Sequence, residues 1–215
     1  MASAASLSLP DSECDLCPRL VKYRHKNRQI YPKFHNAPVN SFGSLSSALL
    51  IVGLAPGLKG ANRTARPFTG DYAGDLLYPT ISTFGFARGT YGAMPDDKLK
   101  LKNCRITNAV RCVPPENKPV SAEMNACRPF LEAEIAAMRN LEVILALGSI
   151  AHTSVLRTLG LKQATYKFSH AAEHALPGGL LLIDSYHCSR YNTNTGRLTE
   201  EMFHGVFKTI RDHLD

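Results

Sequence analysis

No stretch of the sequence approaches the ~20 consecutive apolar residues of a membrane helix, which excludes an α-helical span. Met1 to Pro10 lacks the basic start and apolar centre of an export signal, so a soluble, cytoplasmic protein is expected. Internal repeats and low-complexity tracts are also missing. With 215 residues, 44% hydrophobic and 20% charged, the expectation is one domain over residues 1–215 with a full core. Acidic residues are scarce early: residues 1–70 hold nine Lys/Arg against three Asp/Glu, so most of the net charge of +7 sits in the first third. That imbalance points to a polyanionic partner and says nothing about fold.

Four short apolar runs stand out: Ala48 to Leu54, Ile106 to Val110, Val143 to Gly148 and Leu180 to Asp184. Each enters a turn rich in Gly, Pro, Asn or His and reads as a buried strand. Helical spacing fills Asp75 to Phe86, Ser121 to Arg139 and Ser149 to Leu159, and Thr199 to His213 follows the last strand. Ser121 stands at an expected helix cap, with Glu123 adding negative charge to the first turn. Val113 to Pro119 reads as a structured loop. The alternation predicts an α/β fold with a parallel sheet, whose ligands bind beyond the carboxyl ends of the strands.

Six cysteines without an export signal belong to a reducing compartment, where thiols stay free or bind metal. Cys14 and Cys17 form a C-x2-C pair, Cys112 and Cys127 a C-x14-C pair, and Cys104 and Cys188 are left over. Zinc ribbons use tighter second pairs, and a 4Fe-4S cluster tolerates this spacing better; buried free thiols are the plain alternative. Such a centre would tie the polar N-terminal segment to the loop and helix around 110–130.

The first strand runs into Gly53-Leu54-Ala55-Pro56-Gly57, then Gly60-Ala61-Asn62-Arg63-Thr64 and Arg66-Pro67-Phe68-Thr69-Gly70-Asp71. Small residues let backbone approach a ligand, and Lys59, Arg63 and Arg66 are placed to meet phosphate. The loop has neither the G-x4-G-K-[ST] order of a nucleotide-phosphate loop nor a dinucleotide G-x-G-x-x-G. It resembles the first motif of the family 5 (type b) uracil-DNA glycosylases. Thr107-Asn108-Ala109-Val110-Arg111-Cys112 resembles that family's central strand end, and Ser185-Tyr186-His187-Cys188-Ser189, with Asn192 and Thr195-Gly196-Arg197-Leu198, its second motif. Two positions depart from the pattern: Cys188 stands where Pro is expected, and Ala65 where Gly is expected. The resemblance implies a three-layer α/β/α sandwich with a central four-stranded parallel sheet. It also implies a 4Fe-4S cluster on Cys14, Cys17, Cys112 and Cys127, and action on uracil or other deaminated bases in DNA; the chain itself is expected to be a monomer.

Removing a base by hydrolysis generates a cation-like sugar and an anionic base from a nucleotide outside the helical stack. The backbone at Gly53, Ala55 and Gly57 then lines the base slot, and Phe68 is the expected stacking platform, or otherwise a plain core residue. Asn108 offers the donor and acceptor that the uracil O4 and N3–H need, or it closes a turn. His187 is the expected donor to uracil O2, an electrostatic stabiliser. Leu54 occupies a position where related families carry a polar water-activating group, which leaves Asp71 as the carboxylate to orient water, unless it is a turn-former. Ser189, Arg190, Tyr191, Asn192 and Arg197 join Lys59 and Arg63 as expected DNA contacts, with Arg190 and Tyr191 as a wedge. The competing readings are a non-catalytic iron-sulfur nucleic-acid-binding protein and a zinc-dependent nucleotide-binding enzyme.

Overall fold

Residues 9–215 are described by the computed structural model. Most of Met1 to Pro10, where the sequence shows no export signal, therefore lies outside the described residues. Four strands, β2 (Leu49–Gly53), β5 (Cys104–Asn108), β6 (Val143–Leu147) and β8 (Leu181–Ser185), run parallel in the order β5-β2-β6-β8. The predicted four-stranded parallel sheet is thus present, within two residues at each strand end. It is extended at its edges by two short antiparallel strands, β1 (Phe42–Gly43) beside β5 and β7 (Glu173–Ala175) beside β8. A separate two-stranded ribbon joins β3 (Ala87–Arg88) to β4 (Lys100–Leu101).

Every residue of the four parallel strands is buried, as expected when helices cover both faces. Alternate side chains feed two cores. Leu49, Ile51, Ile106, Leu145 and Ile183 point to the layer of α3 (Tyr72–Thr83) and α7 (Glu200–Leu214). Leu50, Val52, Ile144, Ala146 and Leu182 point to the layer of α4 (Ser121–Ala137) and α5 (Ser149–Thr158). This is the expected three-layer sandwich. Helix α7 shows why: Thr199 accepts the Met202 N–H at 3.2 Å, Glu200 and Glu201 occupy the first turn, and Phe203, Val206, Phe207 and Ile210 form one buried stripe.

One local expectation is corrected. Ser121 is the first residue inside α4, not its cap; Val120 occupies the cap position. Glu123 closes the end instead, accepting the Val120 N–H at 2.8 Å while taking two hydrogen bonds from Arg19 at 2.7 and 2.8 Å. Arg19 belongs to α1 (Pro18–Ile30), a helix without a periodic signal in the sequence, because it buries only Leu20, Arg24 and Asn27. No helix among the described residues is long and apolar enough to cross a membrane.

Candidate active site

A cleft of about 350 Å3 opens beyond the carboxyl ends of β2, β5 and β8, where a doubly wound sheet is expected to take its ligand. Its walls include Ala55, Gly57, Phe68, Asp71, Asn108 and His187. Residues far apart in sequence and read separately as base-binding or catalytic thus share one cavity. Gly53 lies just behind it: a Cβ there would strike the Phe68 ring and come within 2.5 Å of Asn108 Oδ1. Glycine is required because the aromatic ring and the carboxamide both press on the end of β2.

Phe68 belongs to the main core and is 6% exposed, so the ring is fixed by packing and still lines the cleft. Its backbone sits at φ +53°, a left-handed conformation costly for an aromatic residue and found mainly at functional sites. Its carbonyl accepts the Tyr91 hydroxyl at 3.4 Å, and Gly74 leaves room that a Cβ would take from the same carbonyl.

Asp71 precedes α3 at the cap position, yet its side chain caps nothing. The carboxylate turns into the loop before the helix, so close to Gly57 and Gly60 that a Cβ at Gly57 would meet Asp71 Oδ1 at 2.7 Å. This geometry speaks against a mere turn-former. Desolvation raises its pKa above the usual carboxylate value, only partly offset by the backbone N–H of Ala61, the Arg63 charge and the backbone N–H of Gly57. Across the cleft, the His187 ring lies 6.1 Å from the Phe68 ring between centroids. Desolvation lowers the His187 pKa to about 4, so the imidazole is neutral at physiological pH.

The segment after His187 forms α6 (Arg190–Asn194), capped by Ser189, which accepts the Asn192 N–H at 3.4 Å. Tyr191 stands 72% exposed, as a wedge would, and Arg190 lies 5.1 Å over the Tyr72 ring at the cleft mouth. Asn192 is half-buried and its Nδ2 donates to the His187 carbonyl at 2.8 Å, whereas Arg197 is exposed, its guanidinium 4.6 Å over the Tyr186 ring. Lys59 is exposed, whereas Arg63 is half-buried and donates to the Lys59 carbonyl at 2.8 Å.

Arg66 is a correction. The sequence places it to meet phosphate, but it is 5% exposed and bound through both guanidinium nitrogens to Asp97 at 2.8 and 2.6 Å, with Nε on Thr69 at 2.7 Å. Its charge holds the motif loop in place. The neighbouring departure from the family pattern also has a physical reading: Ala65 ends the short helix α2 (Ala61–Thr64) at φ +62°, where glycine has no steric cost. Left-handed alanine costs about 1–2 kcal/mol, less the roughly 0.5–1 kcal/mol of chain entropy that glycine loses. Ala65→Gly is therefore expected to stabilise the protein by about 0.5–1 kcal/mol. A raised urea midpoint with unchanged slope checks it.

Cys14, Cys17, Cys112 and Cys127 line one small apolar cavity beside α1, and none is in a disulfide. Cys104 and Cys188 lie elsewhere, fully buried in the main core. Burial and the neighbouring thiols push Cys17 up to about 11 and Cys112 up to about 12. Two buried groups on the same wall have no partner, Nε of Arg24 and Nε of Arg111, and the Arg111 backbone N–H lies 3.3 Å from Cys127 Sγ. Guanidinium charge on the cavity wall and a backbone donor on Cys127 sulfur fit an anionic centre there. Ala55 packs on this cluster from one side and lines the cleft on the other.

Among the described residues, the one group of three or more His, Cys, Asp or Glu side chains with ligand atoms mutually within 4.8 Å is His152, His174 and Asp184. The four cysteines do not meet that distance, and a single tetrahedral zinc would require its sulfurs about 3.8 Å apart. The His–Asp group is a buried ion pair. His152 places one ring nitrogen 2.8 Å from Asp184 and the other 2.9 Å from the Tyr166 carbonyl, two acceptors that require two protons. This group, and the cleft residues Tyr72 and Asn117, were missed in the sequence. Asn117, at φ +56°, comes from the proline-rich loop, whose composition says only that it turns.

Small-residue loops at the carboxyl ends of the sheet thus bring an aromatic ring, an imidazole and a carboxylate into one cleft. Residues 40–211 match the family model described as the uracil DNA glycosylase superfamily. A type-5 uracil-DNA glycosylase of Thermus thermophilus is 43% identical, over 88% of this chain and 89% of its own. Proteins of the same name from Mycobacterium leprae (39% identical, 98% of each chain) and Pyrobaculum aerophilum (36%, 91% of this chain and 86% of the relative) agree. The chain belongs to the type-5 uracil-DNA glycosylase family of that superfamily.

Proposed function

We propose that this chain hydrolyses the N-glycosidic bond of uracil in DNA, and of other deaminated bases such as hypoxanthine, as the opening step of base-excision repair. The observation that carries this reading is one cleft holding a desolvated carboxylate, Asp71, and a neutral imidazole, His187, around a platform, Phe68. The flipped base stacks on Phe68 and presents its edge to Asn108, while backbone at Ala55 and Gly57 closes the slot. As the bond from sugar C1′ to base N1 lengthens, both electrons leave with the base, and the His187 N–H stabilises the charge gathering on O2. Ionised Asp71 opposes the positive sugar, orients the water whose oxygen attacks C1′ and takes the proton that this water loses. Lys59, Arg63, Ser189, Arg190 and Tyr191 face the duplex as a monomer docks. Free uracil released from a uracil-containing duplex tests the reading; binding without release would mark a passive binder.

We further infer a 4Fe-4S cluster on Cys14, Cys17, Cys112 and Cys127, a ligand set that suits a reducing compartment such as the cytoplasm. The shared apolar cavity, the unpartnered Arg24 and Arg111 nitrogens and sulfurs spread too widely for one ion support it. Its contribution when bound is to fix α1 and the loop before α4 behind Ala55. A Cys112→Ala variant is expected to lose most of its iron and the broad brown absorption near 400 nm, whereas Cys104→Ala keeps both; iron analysis and the visible spectrum check it.

A further inference from the structure

The two residues that carry the catalytic imidazole into the cleft are held by contacts outside the chemistry above. Tyr186 donates its backbone N–H to His170 Nδ1 at 3.2 Å, and the two rings stack with centroids 5.1 Å apart and planes 23° apart. Because Nδ1 accepts this N–H, the neutral ring carries its own proton on Nε2. One residue on, the His187 carbonyl accepts Asn192 Nδ2 at 2.8 Å, and Gly148 packs against His187 Cβ. Arg197 covers the Tyr186 ring. The main chain is thus gripped at the N–H of Tyr186 and at the carbonyl of His187, from a loop before β7 and from α6.

We propose that His170 and Asn192 are positioning residues for base excision: together they clamp the Tyr186–His187 main chain so that the His187 N–H meets the departing base. With both ends of the dipeptide fixed, only two side-chain torsions remain to place the imidazole, and a displacement of about 1 Å at a reacting centre can cost about a hundredfold in rate. The clamp, which rests on the glycosylase reading above, gives Asn192 a role other than phosphate contact. Its amide N–H already serves the chain's own carbonyl.

The test compares Asn192→Asp, which keeps the shape but loses the donor, with His170→Ala, which loses the acceptor, and His170→Asn, whose carbonyl can replace it. Single-turnover uracil release is expected to fall about ten- to hundredfold in the first two and to recover to within a few-fold in the third. Affinity for a duplex carrying non-cleavable 2′-fluoro-2′-deoxyuridine and the melting temperature should stay unchanged. Nitrogen-15 spectra of the histidine rings give a readout independent of activity: one sharp His187 signal in the wild type, broadened by exchange in Asn192→Asp and His170→Ala. Wild-type rates at saturating enzyme with weakened duplex binding in Asn192→Asp would overturn the clamp and make Asn192 a phosphate contact. An unchanged His187 signal in both variants would also overturn it. A wild type that binds the duplex but releases no uracil refutes the glycosylase reading instead, and the spectra still decide the clamp.

Discussion

His187→Ala is expected to slow single-turnover uracil release about a hundred- to thousandfold, about 3–4 kcal/mol of barrier, with duplex affinity unchanged. The size follows from the character of the group. Desolvation holds its pKa at about 4, so near neutrality it is an uncharged donor, suited to stabilising an anion rather than to protonating it. A general acid would need the imidazolium, and activity would then fall as pH rises through the ordinary histidine range. No such descending limb between pH 6 and 8 is expected. His187→Gln, which restores a neutral N–H, should recover part of the loss. Rate measurements with enzyme in excess check both variants, and wild-type speed in His187→Ala would remove the residue from the chemistry.

How much of this site can be read in the sequence depends on whether its parts are continuous. The loop from Gly53 to Asp71 is one uninterrupted segment, so its glycines, Phe68 and Asp71 are legible together, and Gly57, Phe68 and Asp71 line the cleft. Cysteine pairs carry their own arithmetic, and the four expected thiols line one cavity. Contacts made by the fold alone are not legible. Arg66 has the composition of a phosphate ligand, but its partner is Asp97, 31 residues on; Asn192 has it too, but its amide meets the His187 carbonyl. The polar helix α1 carries no apolar period because its buried face holds Arg24 and Asn27 beside Leu20. The His152–Asp184 pair joins residues 32 apart that no local pattern links.

Asp71→Asn keeps the shape of the side chain and removes its charge, and it is expected to slow uracil release about as much as His187→Ala, with duplex binding retained. The pH dependence distinguishes this from a general loss of structure. Only ionised Asp71 can oppose the cationic sugar, so the wild-type rate should climb with pH through the elevated Asp71 pKa and then level, while the Asp71→Asn variant shows no such climb. Stability should move the other way. A carboxyl whose folded pKa lies above its unfolded value holds its proton more tightly in the native state. Its contribution is present below the unfolded value and is lost as pH rises through the folded one. At pH 7–8 the native protein therefore bears the desolvation of a partly buried charge, which the neutral amide of the Asp71→Asn variant escapes. The variant should melt at a temperature equal to or above that of the wild type at pH 8, and the difference should vanish toward pH 4. Slow catalysis joined to undiminished stability would mark Asp71 as strain kept for chemistry. A variant that cuts at the wild-type rate would transfer the water to Asn108, Asn117 or the backbone of the loop.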